Sequence, residues 1–225
     1  MSMEGLPIIS SPWSEPWIAW TMLGLLALAT LAHAMQPQAI ATGFRSIFTA
    51  GDRNSMFIDS DLDRRAELIN IFLAICIFSM GAYISLLAYV GTEEYSFRTY
   101  GMIILITIVL LLARALFGML AAFTFVPRST THAFFYHYYH LTVCTALIHY
   151  PIVLLCLFWN ALTPKAIIVL NATALTFYLV AIFVKSCLLM MHSFRDFFYI
   201  LLYLITLELL PFLGVFALSY QLITK

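Results

Sequence analysis

Ile103-Ile104-Leu105-Ile106-Thr107-Ile108-Val109-Leu110-Leu111-Leu112-Ala113-Arg114 is the stretch whose reading decides the fold. It contains no proline or glycine, ends on a single charge, and continues on both sides into an apolar run over 99–126. About 20 such residues in a helix cross the roughly 30 Å hydrocarbon core of a bilayer, so the run reads as a transmembrane helix. Runs of the same kind occupy 16–35, 67–91, 133–160, 165–191 and 196–222. The breaks are Pro37 onward, Gly91-Thr92-Glu93-Glu94, Pro127-Arg128-Ser129-Thr130, Thr163-Pro164-Lys165 and a tight turn at His192-Ser193. Ser193 with Asp196 three residues later has the form of a capping box opening the last run. The expectation is an all-α, polytopic transmembrane helical bundle of about six spans, forming one domain over 1–225.

Composition points the same way. Apolar residues fill 63% of the 225 positions and charged residues 10%, against about 45–50% and about 25% in soluble domains. Eleven basic side chains match eleven acidic ones, so no net field attracts nucleic acid. Cys76, Cys144, Cys156 and Cys187 all lie within apolar runs, where they read as small core residues rather than a disulfide framework. The first run has no Lys or Arg before it, unlike the charged start of a signal peptide, and is expected to be retained.

Orientation follows from the arginines. The only long hydrophilic stretch, 36–66, holds Arg45, Arg53, Arg64 and Arg65, and basic residues in short loops mark the cytoplasmic side. With that loop inside, Arg128, Lys185 and Arg195 join it, while Arg98, Lys165 and Lys225 fall outside together with both termini. Asp59, Asp61 and Asp63 open like a calcium loop, but Arg64 stands where the sharp turn needs glycine and Asn70 where a bidentate Glu is needed. A solvated, helix-capping segment is the expected role.

Arg114, Glu208 and His149 lie near the middles of the third, sixth and fourth runs, at one level. A charge at mid-bilayer costs about 2.5–3.5 kcal/mol on insertion scales, and such residues face the bundle interior and pair. Arg114 and Glu208 are expected partners within reach of His149. Pro211 leaves the Leu207 carbonyl unbonded beside Glu208, and Pro151 does the same to Leu147. Stripes of small and polar residues mark inward faces: Thr107, Arg114, Gly118 and Ala121; Thr142, Thr145, His149 and Cys156; Gly81, Ser85 and Ala88. The cluster reads either as a proton relay or polar substrate site, or as an ion pair that fixes helix register.

Histidines offer a second chemistry. His33, His132, His137, His140 and His192 fall near the predicted cytoplasmic edge, and His137, His140, His192 and His33 are weak candidates for haem or metal ligation. His140 and His149, nine residues apart, sit on opposite faces of one helix. The run Phe134, Phe135, Tyr136, Tyr138 and Tyr139 fits an interfacial aromatic belt, where histidines are ordinary. The expectation is no metal and no cofactor. No nucleophile elbow or P-loop occurs, and Lys185 is expected to reach the headgroups.

Ile58-Asp59-Ser60-Asp61-Leu62-Asp63-Arg64-Arg65, Phe135-Tyr136-His137-Tyr138 and Leu207-Glu208-Leu209-Leu210-Pro211 together resemble an inner-membrane family of Bacteroidota known as a domain of unknown function, with a Leu-Glu-x-Leu-Pro signature. In the family that variable position is closer to isoleucine, so Leu209 is a conservative departure. The resemblance implies a Gram-negative inner membrane and draws weight to Glu208 and Pro211; it implies no activity.

Three functions are compatible with these residues. One is a non-enzymatic subunit or assembly partner of a membrane complex, with the lipid bilayer and other membrane proteins as its surroundings and no nucleic acid. The second is a small proton-coupled transporter using Arg114, Glu208 and His149 at the depth where transporters bind substrates. The third is a haem-binding oxidoreductase subunit.

Overall fold

The structure, a computed structural model, describes residues 15–35, 61–91, 95–125, 128–159, 161–190, 198, 202 and 204–223. The loop over 36–60, the turn at His192-Ser193 and the Ser193–Asp196 capping box lie outside them. Six α-helices account for nearly all of the described chain: α1 (Pro16–Met35), α2 (Asp61–Val90), α3 (Phe97–Phe125), α4 (Arg128–Phe158), α5 (Pro164–Met190) and α6 (Leu210–Ile223). No strand occurs among the described residues. The first five are long and apolar enough to cross a membrane.

Local chemistry sets the ends of these helices. Gly91 adopts φ of 74° and its N–H bonds to the Leu87 carbonyl at 2.9 Å, closing α2 in the left-handed conformation that only glycine takes without penalty. Ser96 opens α3: its hydroxyl and carbonyl accept from the N–H groups of Thr99 and Tyr100. Thr163 caps α5 through its hydroxyl to the N–H of Ala166, and Pro164 follows at the first helical position, where its missing N–H costs nothing.

α2 is the centre of the bundle and packs against all five other helices. In its spanning window 67% of residues are buried, against 22% for α1 and α3. The outer helices turn large side chains outward: Leu105, Leu112, Leu116 and Phe117 on α3, Val169, Phe177 and Val180 on α5. An apolar exterior of that size is unfavourable in water and favourable in lipid. Hydroxyls tie the periphery to the centre. Tyr150 of α4 donates to the Met22 carbonyl of α1 at 2.9 Å, and Tyr100 of α3 to the Cys76 carbonyl of α2 at 3.2 Å. The Tyr83 hydroxyl accepts from the Ser96 N–H at 2.8 Å, pinning the α2–α3 turn, while Trp17, Tyr83 and Tyr100 pack together.

The two prolines behave differently. Pro151 sits on the exposed side of α4, and the helix runs through it to Phe158. Ahead of Pro211 the backbone is a π-helix over Leu204–Leu209, continuous with α6. Proline cannot donate to the carbonyl four residues back, and a widened turn is one way a membrane helix redistributes the freed acceptors.

Candidate functional site

Arg114 is 8% exposed and faces the interior from α3. Its guanidinium donates to the Tyr178 hydroxyl of α5 at 3.1 Å, and its carbon centre lies 4.3 Å from the centroid of the Tyr138 ring of α4. That combines a charged hydrogen bond with a cation–π contact, both strengthened away from water. Tyr178 is fully buried and collects neighbours: the Tyr138 hydroxyl at 3.1 Å and Thr142 Oγ1 at 3.3 Å. Thr142 already donates to the Tyr138 carbonyl, so toward Tyr178 it accepts. Three helices are thereby joined at one phenol oxygen.

His149 belongs to a second polar knot. Its Nε2 lies 2.8 Å from Asn171 Oδ1, while Asn171 Nδ2 donates to the Ile167 carbonyl at 2.9 Å and reaches Cys156 Sγ at 3.7 Å. The Ile167 carbonyl fixes which end of the amide is nitrogen, so the oxygen faces the imidazole and Nε2 carries the proton. His149 Nδ1 is then a bare acceptor, buried and without a hydrogen-bond partner among the described residues. Gly81 makes the approach of α4 and α5 to α2 possible: a Cβ there would stand 2.6 Å from His149 Cε1.

Phe78 links the two knots, its ring centroid 5.6 Å from that of His149 and 5.8 Å from that of Tyr178. Arg114 and His149 are each bonded to a side chain of α5, and Phe78 touches His149 in one knot and Tyr178 in the other. The backbone of Glu208 falls within the π-helix, but its side chain lies outside the described structure, as do the side chains of His137, Ala121, Asp61 and Asp63, the surroundings of Gly118 and the whole of His192. His33 is exposed on α1, and His140 is buried beside Tyr139. Among the described residues no three His, Cys, Asp or Glu side chains gather as a metal site. Lys185, expected to extend to the headgroups, is 6% exposed and packed within protein.

A cavity of about 410 Å³ opens beside the arginine, walled by α2, α3, α4, α5 and α6. Its wall is mostly apolar, with Thr107 on α3 and a polar corner of Arg114, Tyr138, Thr142 and Tyr178. Tyr178, Asn171 and Phe78, the residues that organise both knots, were not singled out by the sequence. Only Asn171 gave a signal there, an amide inside an apolar run.

A bundle of long apolar helices with a lipid-compatible exterior and a sparse, buried polar interior defines a multi-pass integral membrane protein. The chain belongs to the family described as a domain of unknown function (DUF4271), whose pattern matches residues 18–218. No curated protein and no solved structure matches it.

Proposed function

We propose that the protein is a non-enzymatic subunit or assembly partner of a complex in the bacterial inner membrane. In this reading residues 196–222 form a sixth span, the 36–66 loop is cytoplasmic and both termini are outside. The observation that carries it is the use of the interior polar groups: Arg114 and His149 both spend hydrogen bonds on side chains of α5. Such bonds lock the order of the helices, while the broad apolar faces of α3 and α5 stay available to neighbouring proteins. Native mass spectrometry after extraction in mild detergent tests this. A partner present at constant stoichiometry supports the reading, and a chain that runs alone in several mild detergents overturns it.

The π-helix favours a second reading, a proton-coupled transporter built on Arg114, Glu208 and His149. Single π turns inside helices are frequent at functional sites, and this one carries Glu208. Glu208→Gln that leaves complex formation intact while abolishing cell fitness would favour transport over assembly.

A further inference from the structure

The cavity beside Arg114 has walls that do not match one another. Phe78, Tyr138, Tyr139 and Tyr178 are four aromatic residues in its lining, and Arg114 lines it too, with the Tyr178 hydroxyl 3.1 Å away. Much of the rest of the lining is aliphatic. Ile71 at 44% and Leu112 at 61% exposure line the cavity and also the outer surface of the bundle, so its mouth opens sideways toward lipid. A volume of about 410 Å³ is within the range of small-molecule sites.

Each feature narrows the occupant. A lateral mouth and aliphatic walls select a molecule dissolved in the bilayer. Aromatic residues in the lining favour a planar head, since rings stack offset or edge to face. The guanidinium carries five N–H donors, and it selects a head bearing an oxygen acceptor. An acyl chain satisfies the first condition alone, and a polar solute only the last.

We propose that this cavity binds a quinone: a planar ring with a carbonyl oxygen directed to the Arg114 guanidinium and an apolar tail leaving between Ile71 and Leu112. The site adds a ligand to the subunit reading without depending on it, because partner capture and quinone binding are read separately. Binding alone is inferred, with no electron transfer assigned.

The test uses the full chain in phosphatidylcholine vesicles and a short-tailed azidoquinone as photoprobe. Labelling should saturate, map to peptides of α3 or α4, and be displaced by an excess of short-tailed naphthoquinone. Ala115→Phe places a ring at the exposed rim of the cavity and should abolish labelling. Tyr178→Phe removes the hydroxyl that positions the Arg114 guanidinium and should weaken binding by about threefold to tenfold. Both variants are compared with the unaltered protein only as monodisperse samples; should neither qualify, displacement and the peptide map on the unaltered protein decide. Labelling that does not saturate, that maps away from α3 and α4, or that persists in monodisperse Ala115→Phe overturns the proposal. Displacement by phosphatidylglycerol as effective as by naphthoquinone also overturns it, assigning the cavity to an acidic lipid head.

Discussion

The hydrogen bond between His149 and Asn171 closes over Gly81: a β-carbon at the glycine would stand 2.9 Å from the amide oxygen and 3.0 Å from the imidazole nitrogen that it joins. Helix α2 thus contributes to this contact by having no side chain at the point where α4 and α5 meet.

Gly81→Ala is expected to destabilise the bundle by about 1–3 kcal/mol, the usual cost of overpacking a filled interior. Gly24 on α1 has open space around its α-carbon and supplies the control. Thermal unfolding in detergent should show a clear loss for Gly81→Ala and no loss for Gly24→Ala. Equal behaviour of the two would mean that the α2–α4–α5 contact yields easily.

Asn171→Leu should strand the imidazole N–H of His149, and His149→Leu should strand the amide. Interhelical hydrogen bonds in membrane proteins contribute about 0.6 kcal/mol on average, up to about 1.7. The double variant should therefore be more stable than the sum of the two single losses predicts. Strict additivity would show that the knot contributes packing and no bond.

Arg114 and Glu208 are proposed to contact each other, directly or through water. Glu208→Gln should lower folded yield, and replacing both charges with apolar residues of similar size should restore much of it, since a buried pair is costly to break and cheap to replace whole. Additive losses in the single and double variants would sink the pairing. Tyr178→Phe gives a separate readout, because it removes an oxygen to which Arg114 donates.

The orientation has its own measurement. A reporter fused at residue 50 should give a cytoplasmic signal, and one fused after Lys225 an external signal. A cytoplasmic signal after Lys225 would rule out an even number of spans with an external N-terminus; an external signal at residue 50 would reverse the arrangement.

The helical architecture was legible because the bilayer imposes a length rule that a single sequence can satisfy visibly. Arg114 was legible as an inward residue for a related reason, a charge within an apolar run. Its contact with Tyr178 was not, because a tyrosine among Leu, Phe and Val looks like any other aromatic, and the two are separated by 64 positions. Gly81 could be placed on a packing face, but what it made room for depended on the relative heights of α4 and α5. The cavity was equally hidden: its walls come from five helices, and none of them signals a void.

The central position of α2 also sets a schedule. Gly81 is synthesised about 90 residues ahead of Asn171, a delay of roughly 5–18 s at 5–20 residues per second. During that interval α2 is in the membrane with the face that carries Phe78 and Gly81 not yet covered by α4 and α5. The helix that organises the finished bundle is therefore one that waits for neighbours made well after it. Its vulnerable period is during biogenesis, when an insertion chaperone or an early partner protein would have most to shield.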